Sequence, residues 1–171
     1  NSGTYTGSIY GGGDIGVVEG TSYVHINNVE ANNIFGGGNQ ASVTTTNIYN
    51  KGGIVSNIYG GGNKANVNTT NIYLQGGKAS NIFGGSNQSG TVTNSNIYAS
   101  SGTATNIYGG NNQGGTTTAS NIEINNGTIQ NIYGGNNEGG TTTNPNINII
   151  GGIISNIYGG GNRATVPTTN V

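Results

Sequence analysis

Outside its tyrosines and termini, the chain carries five acids, four cations and one histidine. The acids Asp14, Glu19, Glu30, Glu123 and Glu138 could do acid–base work only where two of them reach one bond. They are scattered along the chain. Glu123 and Glu138 fall in consecutive sequence repeats but do not superimpose when the repeats are aligned. This spacing predicts solvated charges that limit aggregation, not a catalytic pair. His25 has no second histidine to share a metal with. Its place in the repeat is taken elsewhere by Tyr49, Tyr73, Tyr98, Glu123 and Asn148, so it reads as a surface residue. Gly11-Gly12-Gly13-Asp14-Ile15-Gly16 fits a dinucleotide-binding pattern, but that pattern needs a helix directly after it. Val17-Val18-Glu19-Gly20 follows instead. Lys51, Lys64, Lys78 and Arg163 are too few to form a positive stripe for nucleic acid. There is no cysteine, hence no disulfide or thiolate site. No cofactor is called for, and the expectation is a protein that is not an enzyme.

Two surfaces could bind without charge. Thr91-x-Thr93, Thr116-x-Thr118 and Thr141-x-Thr143 recur in register. On strands, two outward Thr lie ~6.7 Å apart and neighbouring strands ~4.8 Å apart. Such a flat grid resembles the ice-binding face of some antifreeze solenoids. The same two places hold Ser42 and Thr44, Asn66 and Asn68, then Thr165 and Pro167. Thr is also a common residue of exposed strands. The second surface is an aromatic column: Tyr10, Phe35, Tyr59, Phe83, Tyr108, Tyr133 and Tyr158. Its rings either dock glycans, with Tyr108, Tyr133 and Tyr158 as candidates, or stack on one another and stabilise the fold.

These residues are positioned by a repeat. Asn-Ile-Tyr/Phe-Gly-Gly recurs with Ile9, Ile34, Ile58, Ile82, Ile107, Ile132 and Ile157 at spacings of 25, 24, 24, 25, 25 and 25; the first copy has Ser8 in place of Asn. A fixed period of this size marks stacked units that bury their apolar sides against neighbours. Asn47, Asn71, Asn96, Asn121 and Asn146 open a second phrase, 10 residues before Asn57, Asn81, Asn106, Asn131 and Asn156. Aligned copies produce apolar columns: Ile58 and its equivalents, Ile48 and its equivalents, and Val55, Ala79, Ala104, Ile129 and Ile154. A fourth runs Val43, Val67, Val92, Thr117, Thr142 and Val166. Variable polar residues such as Gln40, Lys64, Gln88, Gln113, Glu138 and Arg163 lie between them. Constant apolar and variable polar places are the inside and outside of a coil of short strands. The corner asparagines suit a left-handed conformation and turn bonding. The Gly pairs are expected to supply positive φ after each aromatic residue. Asp14, Asn39, Asn63, Asn87, Asn112, Asn137 and Asn162 form a polar column whose side chains can bond to one another. Gly84–Ser95, Gly109–Ser120 and Gly134–Pro145 are each one residue longer than Gly60–Thr70. That extra residue is expected in a loop.

Composition agrees. Thirty-five residues are glycine, 32 asparagine, 5% charged, and Leu74 is the one leucine; formal net charge is −1. Helix formers are scarce while Ile, Val, Thr and Tyr are common, which excludes a helical bundle. No apolar run approaches the ~18 residues of a membrane span. The expected fold is all-β: a single parallel β-solenoid over residues 1–171, right-handed by the crossover rule, of about seven 24–25-residue coils and roughly 34 Å long. Asn57, Asn81, Asn106, Asn131 and Asn156, with Ile58, Ile82, Ile107, Ile132 and Ile157, are its structural ladder.

Coils with Asn ladders and stacked aromatics resemble the parallel β-helices of extracellular bacterial proteins, particularly adhesin-like surface repeats. The resemblance covers essentially the whole chain. It implies a secreted or surface-anchored scaffold, and an extracellular or cell-surface location. The chain opens inside a repeat-like phrase and stops at Asn170-Val171, which reads as a stretch of a longer repeat protein. Uncapped coils predict end-to-end self-association or capping by flanking repeats. The functional expectation is a structural rod or fibre segment. The alternative is a binding module, for ice through the Thr face or for glycan through the aromatic column.

Overall fold

The computed structural model describes residues 3–171. Among them no residue is helical and no helix could cross a membrane. Eleven strands wind into one parallel solenoid of about six full turns. They are β1 (Gly3–Tyr10), β2 (Val18–Ile26), β3 (Val29–Phe35), β4 (Val43–Asn50), β5 (Ile54–Tyr59), β6 (Val67–Phe83), β7 (Thr91–Tyr108), β8 (Thr116–Ile124), β9 (Thr128–Tyr133), β10 (Thr141–Ile149) and β11 (Ile153–Tyr158).

One side of each coil is formed by β2, β4, the first halves of β6 and β7, then β8 and β10. A second side is formed by β1, β3, β5, the second halves of β6 and β7, then β9 and β11. All pairings are parallel, and outside bulges in β1, β2 and the corner of β6 and β7 each repeat position lies on its own equivalent. Ile34, Ile58, Ile82, Ile107 and Ile132 follow one another in register, as do Ile48, Ile72, Ile97 and Ile122. The third side is the Gly-rich segment after each aromatic residue. It has no regular strand, yet its backbone bonds from coil to coil: Gly37 N–H to the Gly61 carbonyl at 3.0 Å and Asn63 N–H to the Gly38 carbonyl at 3.0 Å.

The core is a stack of isoleucines. Ile48, Ile58, Ile72, Ile82, Ile97, Ile107 and Ile132 are fully buried, with Val55, Ala79, Ala104 and Ile129 beside them. Each buried Ile contributes on the order of 1.5–3 kcal/mol. Val43, Val67 and Val92 form a separate buried column. Ile157, in the last coil, is exposed.

The structure corrects two expectations about turns. None of the Gly pairs after the aromatic column has a left-handed φ. Left-handed glycines lie at the other two corners: Gly76, Gly102, Gly127 and Gly152 between the two strand sides, and Gly90, Gly115 and Gly140 ahead of the first. The paired glycines, Gly160 in the last coil excepted, are needed for space. A Cβ on Gly60 would meet the Gly84 carbonyl and Thr70; one on Gly109 would meet the Ser120 hydroxyl and the Gly134 carbonyl. The repeated asparagines likewise do not turn the chain through left-handed conformations. Asn28, at φ 50°, is the one non-glycine with positive φ among the described residues.

The longer coils take their extra residue in the expected loop. Shorter coils plug the interior there with Ala41 or Ala65. Longer ones place Gly90, Gly115 or Gly140 there.

Gly109→Ala should therefore destabilise the fold by overpacking, by about 1–3 kcal/mol. Gly20→Ala, where an added Cβ meets nothing within 4 Å, should stay within ~0.5 kcal/mol. Denaturant midpoints measure both, and equal effects would refute the steric account.

Candidate functional site

The solenoid sorts its side chains into columns, and any function must be exercised through them. Three are asparagine ladders. In the first, Nδ2 of Asn57 donates to Oδ1 of Asn33 at 3.0 Å, and Asn81, Asn106, Asn131 and Asn156 continue it at 2.8–2.9 Å. In the second, Asn39 donates to the Asp14 carboxylate at 2.7 Å, and Asn63, Asn87, Asn112, Asn137 and Asn162 follow. The third joins Asn47, Asn71, Asn96 and Asn121, and separately Asn146 and Asn170. Every bond in all three runs the same way, from Nδ2 of the later coil to an oxygen of the earlier one.

Two interior polar columns escaped the sequence reading. The hydroxyls of Ser22, Thr46, Thr70 and Ser95 each donate at 2.6 Å to the carbonyl of the first glycine after an aromatic residue, and Ser120 does so at 3.0 Å. Their signal was a Ser or Thr at one fixed place in every full repeat until Pro145. The other column substitutes Asn111 and Asn136 for a glycine. Both are fully buried, and Thr117 and Thr142 donate to their Oδ1 at 3.2 and 2.7 Å. Here Val gives way to Thr where Gly gives way to Asn. Each buried amide oxygen, which already accepts from the backbone N–H of Ser86 or Asn111 at 2.7 Å, thus gains a second donor.

The aromatic column stacks face to face. Neighbouring ring centroids from Tyr10 to Tyr158 are 4.6–4.9 Å apart and within 10° of parallel. Phe35, Tyr59, Phe83 and Tyr108 are buried, Tyr133 is half-buried and Tyr158 is exposed. The ring faces of Tyr108 and Tyr133 are covered by their neighbours, so these two residues offer a glycan only their edges. A second aromatic stack, His25, Tyr49, Tyr73 and Tyr98, stands on the outside of the first strand side at 4.7–5.2 Å spacing. It stops at Glu123, which pairs in register with Tyr98.

The threonine candidates are brought together. Thr91, Thr116 and Thr141 pair in register, and Thr165 bridges to Thr141. Thr91, Thr93, Thr116, Thr118, Thr141 and Thr143 are all exposed, while Val92, Thr117 and Thr142 between them point inward and are fully buried.

The acids remain apart. Asp14 ends a ladder, Glu123 accepts from Asn125 Nδ2 at 2.8 Å, and Glu19, Glu30 and Glu138 are exposed on other columns. Among the described residues no three His, Asp or Glu gather as a metal cluster would require.

Fold and ladders together define a parallel β-solenoid repeat protein. Comparison with protein-family models, with curated proteins and with solved structures finds no match for this chain.

Burial pushes the Tyr59 phenol up from its ordinary value of 10 to about 12. Burial also raises Tyr108, with Tyr133 and Glu138 adding to it, and raises Tyr73 beside Tyr49 and Tyr98. An unfolded tyrosine ionises first, so this stability is complete below pH 10 and is lost as pH rises towards about 12. Thermal melts across that window should show a steep alkaline fall. Tyr59→Phe, which copies Phe35 and Phe83, should flatten part of it; an unchanged alkaline profile would refute the assignment.

Proposed function

We propose that this chain is a mechanical element: a stiff rod segment of an extracellular or surface-displayed fibre that separates, displays or joins other domains without catalysing a reaction. One observation carries the reading. Nearly every stabilising interaction, whether backbone bond, isoleucine stack, aromatic stack or amide ladder, runs coil to coil along one axis. Such a stack resists bending and stretching because deformation strains many bonds at once. The same lattice accepts further coils, such as those of another copy, by repeating its own contacts. Low charge favours close approach between copies. The adhesin-like resemblance supports the external location.

Electron microscopy with small-angle scattering over a concentration series tests this. Short rods about 30–35 Å long at a ~4.8 Å coil spacing, or filaments built from them, would support the rod. A flexible or collapsed particle would sink it. Filaments that lengthen with concentration would add self-assembly to the role.

The threonine face supports a second reading, in which the rod binds a regular surface such as ice. What favours it is the exposed array of six threonines on three consecutive coils, with Thr91, Thr116 and Thr141 paired in register. Thermal hysteresis measures it directly. Hysteresis abolished by Thr118→Lys would support this reading, and none at millimolar protein would remove it.

A further inference from the structure

Of the 32 asparagines, one is followed by glycine: Asn126-Gly127, in the turn between β8 and β9. We propose that this dipeptide is a self-modification site, at which the chain converts an amide to a carboxylate with water as its only reagent.

The geometry sets it apart from the other asparagines. Asn126 is exposed, and the backbone N–H of Gly127 lies 2.8 Å from its Oδ1. This hydrogen bond keeps the Gly127 nitrogen beside the side-chain amide of its own neighbour. Once it is broken by loss of the proton, a small rotation turns the nitrogen to the amide carbon, an intramolecular approach. Gly127 has φ 121°, and no side chain shields its nitrogen. Ladder asparagines are arranged differently. Asn106 donates to Asn81 and accepts from Asn131, and the residue after it is the β-branched, fully buried Ile107 inside a strand. Attack there would break two side-chain bonds and twist a strand whose neighbours hold it on both sides.

The steps balance without an oxidant. The Gly127 nitrogen loses its proton to solvent base and forms a bond to Cγ of Asn126. The Cγ–Nδ2 bond breaks, and the departing nitrogen takes up a proton to leave as ammonia. The five-membered imide is then opened by water at either carbonyl, giving aspartate or isoaspartate. Each conversion adds one negative charge to a chain of formal net charge −1. The new carboxylate arises beside the Glu123–Asn125 pair. It lies in a corner outside every core column, so the rod survives the change and carries it as an altered surface.

The experiment is peptide mapping by mass spectrometry of the folded chain, aged at physiological temperature over a series of neutral to mildly alkaline pH. Conversion at Asn126 should outpace that of any ladder asparagine by at least about tenfold, rise with pH and yield isoaspartate. Asn126→Gln should remove the signal, because its longer side chain cannot close the five-membered ring. Conversion of Asn126 no faster than that of Asn106, or a ladder asparagine converting first, would overturn the proposal. The rod reading predicts nothing about this rate, so either can fail alone.

Discussion

Everything in this molecule follows from the distance at which one β-strand bonds to the next. A coil rise of ~4.8 Å is set by the backbone N–H···O=C bond. It is also close to the separation two stacked rings favour and within reach of one amide donating to another. A sequence that repeats at the length of one coil brings like onto like, and all three interactions are then satisfied at once. The aromatic stacks at 4.6–5.2 Å and the amide bonds at 2.7–3.1 Å are different responses to one imposed spacing. A coil that slipped by one residue would lose its backbone register and expose isoleucine to water. It would also leave amides without partners, so extra residues are confined to corners and, in the first coil, to bulges in β1 and β2 ahead of the core isoleucine positions.

That dependence explains what could be read from the chain and what could not. The columns of Ile58, Val55 and Val43 were legible because burial fixes residue type, and a repeated type is visible in an alignment of the chain with itself. The Asn57 and Asp14 columns were legible for the same reason. The hydroxyls of Thr46 and Ser95 were not, because Ser and Thr usually face water and their burial here depends on a glycine carbonyl from another side of the coil. The exchange of Gly and Val for Asn and Thr around Asn136 needs two chain segments seen together. The paired glycines were correctly placed as turn residues but given the wrong cause. Sequence tells that a side chain is absent, whereas only the packed structure tells whether conformation or space demanded it.

Candidate binding surfaces separated along the same line. The threonine array could be drawn beforehand, since alternation along a strand decides which residues face out. Tyr108 could not be judged, because stacking and display call for the same residues at the same spacing. Its burial by Phe83 and Tyr133 depends on how the rings turn at the corner. The outward stack of Tyr49, Tyr73 and Tyr98 was visible as a repeated residue but not as an aromatic array.

The uniform direction of the asparagine ladders gives the rod an electrical sense as well as a mechanical one. Backbone dipoles in a sheet largely cancel, but here each side-chain amide turns its N–H towards the first coil and its oxygen towards the last. Their sum is a permanent dipole along the axis, positive at the first coil. The Asp14 carboxylate sits at that pole, as an acidic residue does at the start of a helix. The two ends of the cylinder are therefore not interchangeable. Rods lying side by side would cancel their fields by pointing in opposite directions, whereas rods placed head to tail would add them.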